Sequence, residues 1–394
     1  MRASNDSSPA SWRTVPGAAD HAPLGARHAR ARALMAPLGL TRLLVTAPAN
    51  VAWLTGFDGS AACAMVEHDR VTLVTDRRYE EAAGALPAPV GLALVEHTYD
   101  ETLAALIAAV DEPVGVEAGH LTLQRHRWLE ATLGAARWPP GRLVPTLDLI
   151  EAARVIKDAW EQDRLAEAGR RISAVALGVL ADLAPGPRER DVAQAIEAGL
   201  RRAGFSRPAF DTIVASGPRS ALPHGRATDR VLAAGDLVVL DFGGVYGGYC
   251  VDLTRTVQLG PVSSEAARVH AAVAEAQEAA VAALVPGALL ADIDRAARDA
   301  LDRHGLADRF VHGTGHGLGL EVHEAPRLGP ARPAPHPPLP GTVPLPDRLE
   351  AGMAVTVEPG VYIPGWGGVR IEDDLLITAT GAQRLTHVPV TLTR

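Results

Sequence analysis

The sequence predicts a two-domain α+β protein, a smaller α/β domain with a mixed sheet followed by a larger domain of long helices and glycine-bounded strands. Three observations carry this. The chain has 394 residues, and single cores usually stop growing beyond roughly 250 to 300 residues, so two domains are expected. Up to about residue 150, short runs rich in β-formers alternate with helical stretches. Beyond it, apolar residues recur at helical spacing, and Val-, Ile- and Thr-rich runs follow.

In chain order, residues 1–24 are rich in Ser, Ala and Pro and lack the apolar centre of a secretory signal, so they read as a disordered tail. Residues 25–150 form the smaller domain, with strands at 43–46, 62–67, 71–75, 91–95 and 114–117. The link His68-Asp69-Arg70 is short enough for a hairpin, which makes the sheet mixed. No glycine-rich phosphate loop follows a strand, so a dinucleotide site lacks support. Residues 151–394 form the larger domain. Val155, Ile156, Trp160, Leu165, Ile172, Val179 and Leu183 predict one long amphipathic helix over 152–183, stopped by Pro185-Gly186-Pro187. Further helices are expected at 188–203, 264–284 and 292–304, and strands at 237–241, 250–257, 353–358 and 369–378. Residues 326–346 hold nine prolines. That density excludes helix and strand and leaves either a mobile surface insertion or a flap over a site.

Composition narrows the function. Hydrophobic residues at 47% and charged residues at 21% suit a globular core. A net charge of −8 with scattered arginines gives no footprint for nucleic acid. The stretch 172–184 is too short and too interrupted for the roughly 20 apolar residues of a membrane span. Two cysteines, Cys63 and Cys250, lie far apart in sequence and form no framework, so a reducing cytoplasm is the expected setting.

The chemistry gathers in three segments. In 237–254, a two-residue turn at Tyr246-Gly247 would set Asp241 directly opposite Asp252 on one face of a hairpin. Like charges so placed are destabilising unless a cation lies between them. A different register or bulge, with both aspartates in water, is the other reading. Residues 353–374 repeat the idea with Glu358 and Glu372, and an acid ending the apolar run Val355-Thr-Val357 is costly to bury unless paired or coordinated. Between them, His312, His316 and His323 fall within twelve residues in a Gly-rich frame, where imidazoles can serve as ligands or proton carriers. Oxygen donors with one imidazole suit Mn, with Co, Zn or Fe possible. Four carboxylates would balance two divalent ions.

These segments resemble the Xaa-Pro peptidases of the pita-bread metallopeptidase family, aminopeptidase P and prolidase. The resemblance runs from Asn50-Val-Ala-Trp-Leu-Thr-Gly-Phe57 through Ser216 to His224, Leu240-Asp-Phe-Gly243, Val251-Asp-Leu-Thr-Arg255, 312–324, Val357-Glu-Pro-Gly-Val-Tyr362 and Val369-Arg-Ile-Glu-Asp373. It implies a pita-bread catalytic domain behind a creatinase-like N-terminal domain. It also implies Asp241, Asp252, His316, Glu358 and Glu372 as ligands of two metal ions, and selects Glu372 over Asp373, which the hairpin pattern left open. His224, His312, His323 and Arg370 match the family's polar residues around the scissile bond, with Glu358 as proton shuttle. The implied substrate is a peptide with proline in second position, and the implied assembly a homodimer. Aminopeptidase action is the first expectation and dipeptidase action the alternative. A non-catalytic scaffold on the same fold is the rival of another class. A serine mechanism through Ser216 lacks a third triad member.

Overall fold

The computed structural model describes residues 22–87, 89–330 and 340–393. The tail expected over 1–24 lies outside them as far as residue 21. Leu24 already opens the first helix, Leu24–Met35.

The smaller domain is built on a six-stranded mixed sheet. Its strands run in the order Val90–Val95, Val71–Asp76, Ala62–Val66, Arg42–Val45, Val114–Glu117 and Leu143–Thr146. Ala62–Val66 and Val71–Asp76 pair antiparallel through the expected link, and Glu67 N donates to Arg70 O at 2.9 Å to close it. The strand Leu143–Thr146 was not foreseen, because Pro145 and Thr146 interrupt a short apolar run. Alternation along the strands sends Leu43, Val45, Ala64 and Leu73 to one face, under helices Leu24–Met35, Pro48–Thr55 and Leu149–Val155. Leu44, Met65 and Val74 face helices Tyr99–Ala108 and Leu123–Ala135. The sheet is therefore buried on both sides.

The single helix expected over 152–183 is two helices, Leu149–Val155 and Ala159–Asp182. Ile156 is extended, and Lys157 N donates to Gly352 O at 2.8 Å, so the chain leaves the helix to bond elsewhere. Asp158 restarts it with a capping box: its side chain accepts Glu161 N at 3.0 Å while Glu161 accepts Asp158 N at 2.9 Å. Apolar spacing carried through the break, which is why periodicity hid it.

In the larger domain, strands Leu237–Tyr246 and Tyr249–Gln258 form a long hairpin covered by helices Ala159–Asp182 and Glu189–Arg202. A five-stranded sheet orders Glu324–Leu328, Gly315–Gly317, Ala354–Val357, Asp373–Thr378 and Gly381–Arg384. Helices Ser264–Ala282 and Leu290–Asp302 pack on this half of the core. The strand expected over 369–378 is broken: Gly367–Arg370 pairs with Gly360–Ile363, and Asp373–Thr378 joins the larger sheet. The switch falls at Glu372, whose N–H donates to Thr254 O at 3.1 Å.

Part of the proline-rich segment also departs from expectation. Pro326 lies inside the strand Glu324–Leu328, at a position where its missing N–H costs no ladder bond. Residues 331–339, where a flap or a mobile insertion was expected, lie outside the described residues. Beyond them the chain crosses to the smaller domain. Leu147 N donates to Gly341 O at 3.2 Å, Val343 N donates to Leu147 O at 2.9 Å, and Val343 is buried in the smaller domain's core. Among the described residues no helix is long and apolar enough to cross a membrane.

Candidate metal centre

Two glycines decide the first acidic hairpin. Gly247 and Gly248 both have positive φ, 55° and 88°, the pair of left-handed residues that a tight hairpin turn demands. Tyr246 instead stays in the strand and pairs with Tyr249. The register expected from a Tyr246-Gly247 turn is therefore wrong: Asp241 faces Thr254, and Asp252 faces Gly243. The slip is two residues, and because side chains alternate with period two both aspartates keep the same face, as diagonal rather than direct neighbours.

The second pair sits where two sheets meet. Val357 pairs with Asp373, so Glu358 and Glu372 are the next opposed positions, just where each chain bends out of the larger sheet. Glu358 N donates to Thr314 O at 2.8 Å, which ties it to the histidine segment. That segment is anchored from behind: Asp294 Oδ1 accepts Thr314 N and Oγ1 at 3.1 and 2.9 Å, and Arg298 donates to His312 O at 2.6 Å. Glycine is required at 315 because a Cβ there would stand 2.0 Å from Thr356 O.

The five residues converge. Donor atoms of Asp252, His316 and Glu372 lie within 4.8 Å of one another. His316 Nε2 is 3.4 Å from Glu358 Oε1. Asp241, whose Oδ2 accepts Arg370 Nη2 at 2.5 Å, raises the proton affinity of Asp252, Glu358 and Glu372 by its charge. Thr254 Oγ1 donates to Glu372 Oε2 at 2.6 Å, and Asp252 N donates to Asp374 Oδ2 at 2.9 Å.

Asp241 Oδ1, Asp252 Oδ1, Glu372 Oε1 and Asp374 Oδ1 are buried without a hydrogen-bond partner. Such orphaned oxygens are costly unless a cation answers them. Burial, followed by the charge of Glu372, pushes the carboxyls of Asp252 and Glu358 well above their ordinary range. Burial and then Asp241 push Glu372 up to about 8, against the pull of Thr254 and Arg370. The imidazole fits the same picture. His316 Nδ1 lies 3.0 Å from Gly317 O and must donate to it, which leaves Nε2 with a bare lone pair aimed at the acids. Burial, with His323 and Arg327 nearby, lowers His316 to about 4, so the ring is neutral and able to ligate. The donor set fits divalent ions.

The remaining expected residues gather beside this cluster. His312 Nδ1 donates to Gly313 O at 2.8 Å, so its Nε2 accepts from Tyr362 Oη at 2.9 Å, and Tyr362 in turn accepts Arg370 Nη1 at 2.6 Å. Arg370 also donates to Pro223 O at 3.3 Å, bringing the exposed His224 alongside. His224 acts by charge on both His312 and His323. His323 is exposed, its ring 4.4 Å from that of His316. Sequence reasoning missed Tyr362, Thr254 and Asp374 as site residues. Tyr362 carried one usable signal, because a tyrosine in a buried strand needs a partner for its hydroxyl. Ser216 is fully buried, donates to Glu189 Oε1 at 2.8 Å and accepts from Arg230, so it serves no nucleophilic role.

Residues 163–379 match metallopeptidase family M24, and residues 27–156 match the creatinase/prolidase N-terminal domain. An uncharacterized peptidase of Bacillus subtilis, YqhT, is 39% identical over 91% of this chain and 97% of its own. The solved structure of an Xaa-Pro dipeptidase from Bacillus anthracis superposes with a TM-score of 0.86 at 34% identity, covering 94% of this chain and 99% of that one. An X-Pro aminopeptidase from Thermotoga maritima gives 0.79 at 30% identity, covering 91% and 99%.

Proposed function

The chain belongs to metallopeptidase family M24, with a creatinase/prolidase N-terminal domain ahead of the catalytic one, and on that premise we propose that it hydrolyses the peptide bond preceding a proline. The observation that carries this is the convergence of Asp252, His316 and Glu372 within 4.8 Å, with orphaned oxygens on Asp241, Asp252 and Glu372. In this reading Asp241, Asp252, His316, Glu358 and Glu372 hold two divalent ions, Mn being the native metal. Bound there, the ions supply Lewis acidity and lower the pKa of water from about 15.7 towards neutrality.

The protein's own groups do the rest. Glu358 Oε1 takes the proton of the attacking water and returns it to the proline nitrogen as the C–N bond breaks. His323 and His224, both exposed beside the cluster, donate hydrogen bonds to the oxyanion that forms on the carbonyl of the residue before proline. His312, Tyr362 and Arg370 form a chain that keeps Asp241 and the His224 loop in register. The reading extends to a homodimer in a cytoplasmic setting, the latter favoured by two cysteines that are both free and buried.

Aminopeptidase action is our first expectation from sequence, but one feature favours the dipeptidase reading. Arg327 pairs in the sheet with His316, is exposed, and acts by charge on both His316 and His323. A guanidinium so placed suits the free carboxylate of a dipeptide's proline. Ala-Pro and Ala-Pro-Ala are to be compared in Mn-loaded wild type and Arg327→Ala. The dipeptidase reading expects Ala-Pro to be preferred and its KM to rise about tenfold or more in the variant. Preference for the tripeptide, with Arg327→Ala indifferent, returns the assignment to aminopeptidase. Failure to cleave either peptide with Mn, Co, Zn or Fe, and no loss on chelation, rejects the peptidase reading and leaves the non-catalytic scaffold.

A further inference from the structure

Asn50 opens the Asn50-to-Phe57 segment of the smaller domain, which the metal centre does not use. It is fully buried, and its side chain is fully engaged. Its Nδ2 donates to Glu117 Oε1 and to Glu151 Oε1, each at 2.6 Å, and its Oδ1 accepts Arg154 Nη1 at 2.6 Å. With donors facing two carboxylates and the acceptor facing a cation, the amide has one orientation.

Arg154, 3% exposed on helix Leu149–Val155, continues the chain into the larger domain. Its Nη2 donates to Glu321 Oε2 at 3.0 Å and also binds Glu324 Oε1. Lys157 Nζ, equally buried, donates to Glu324 Oε2 at 3.1 Å, and Glu321 N donates to Glu324 Oε1 at 2.9 Å. The Glu324 carboxylate lies folded under its own loop. A Cβ at Gly319 would meet Glu324 Oε2 and Oε1 at 2.8 and 2.9 Å, so a larger residue there would push the carboxylate off its present seat. Glu324 directly follows His323 and pairs in the sheet with Gly317, the neighbour of His316.

We propose that Asn50, Arg154 and Glu324 form a positioning relay through which the smaller domain sets the His323 imidazole beside the metal centre. None of the three touches substrate. Each acts through the next, and the relay ends in the backbone step from Glu324 to His323. A buried carboxylate gripped by two cations cannot shift without leaving a charge unpaired, which is a strong reason for the loop to stay in one place. This rests on the reading of His323 as an oxyanion donor.

A double-mutant cycle in full-length, Mn-loaded protein with Ala-Pro tests it. Arg154→Met is expected to lower kcat about tenfold, the lower end of the range for groups that orient active residues, with KM changed less than about twofold. Arg154→Lys is expected to retain more activity than Arg154→Met. His323→Ala lowers kcat further, and adding Arg154→Met to it is expected to change nothing more, because the relay has lost its object. Losses that multiply overturn the proposal, as does an Arg154→Met enzyme with full kcat. If Arg154→Met does not fold, Glu324→Gln, which keeps the shape, goes through the same cycle. A second readout needs no activity. In metal-free protein labelled with ¹⁵N-histidine, Arg154→Met is expected to move the His323 side-chain resonance and leave that of His304 in place. An unmoved His323 signal overturns the relay even if the peptidase reading stands. Absence of any wild-type activity would instead count against that reading, with the histidine shift still judging the relay.

Discussion

Replacing Asp252 by Asn separates the two faces of the acid cluster, because it should stabilise the protein without metal and destabilise it with metal. The acceptor atoms of Asp252 and Glu372 lie no more than 4.8 Å apart. At that distance and an effective dielectric of about 20, two full charges repel by about 3 kcal/mol. The amide keeps the shape of the carboxylate, and the backbone bond from residue 252 to Asp374 Oδ2 is untouched. The full gain depends on both groups being ionised. Burial and the charge of Glu372 raise Asp252 well above its ordinary range, and burial and the charge of Asp241 raise Glu372 to about 8. Such groups cost the folded state progressively as pH rises from their ordinary range of about 4, and the full cost is reached only above the raised values, so the gain should already be present at pH 6 and grow towards pH 9. With about 2–4 °C per kcal/mol for a domain of this size, the ceiling is a rise of about 6–12 °C in the metal-free melting temperature. In Mn the sign reverses: the variant loses a ligand, and the Mn-induced rise in melting temperature seen in wild type shrinks or disappears. Differential scanning calorimetry at pH 6, 7.5 and 9, with chelator and with Mn, reads both limbs. If Asp252→Asn melts lower than wild type without metal at pH 9 and gains as much from Mn, the acids do not face one another across a cation site.

Three further outcomes are expected. Glu358→Gln should lower kcat between about 10² and 10⁴-fold, the usual worth of a proton-transfer group, with the fold intact by circular dichroism; unchanged turnover would remove Glu358 from that role. Tyr362→Phe takes from Arg370 an acceptor at 2.6 Å and from His312 a donor at 2.9 Å, and should cost about 1–3 kcal/mol of stability, measured by urea unfolding, with an accompanying fall in kcat. Glu324 is held down to about 2 because Lys157 and Arg154 outweigh the opposing effect of its burial. Its stabilising contribution is therefore complete above the ordinary carboxyl value of about 4.5 and is lost as pH falls towards about 2; the shift is worth about 3 kcal/mol. Glu324→Gln should accordingly be less stable than wild type at pH 7 in metal-free protein, with the gap closing below pH 4 in urea titrations. A gap independent of pH would mean the ion pairs contribute nothing.

How the site came to be readable is plain from particular residues. Glu358 ends a run of buried valines, so the cost of burying its charge advertised a partner before any fold was known, whereas Asp241 stood out by its placement across a hairpin from Asp252, a register that the structure shifts while keeping both on one face. The histidines announced themselves by spacing; burial keeps the rings of His312 and His316 neutral, and carbonyls one residue away, Gly313 O and Gly317 O, fix their tautomers. The residues that were missed have no such local mark. Thr254 matters because it bridges to Glu372, 118 positions later, and Asp374 because it receives the N–H of Asp252, 122 positions earlier.

The same division runs through the fold. Period-two and helical spacing, proline and glycine stops and acids in apolar runs are properties of neighbouring residues, so they were enough to predict the two-part α+β plan, the main helices and the candidate acids and histidines, while the choice of Glu372 over Asp373 and of His316 among the three rings came from the family resemblance. Register, breaks and crossings are not local. Gly248 took the turn position expected for Tyr246, because Tyr246 is buried in the core. The helix after residue 149 parted at Ile156 because Lys157 found Gly352. The chain after the prolines returned to Leu147 because Val343 fills a place in the smaller domain's core. Only the tertiary structure decided these, since each rests on a contact between distant segments whose energy exceeds the local preference it overrides.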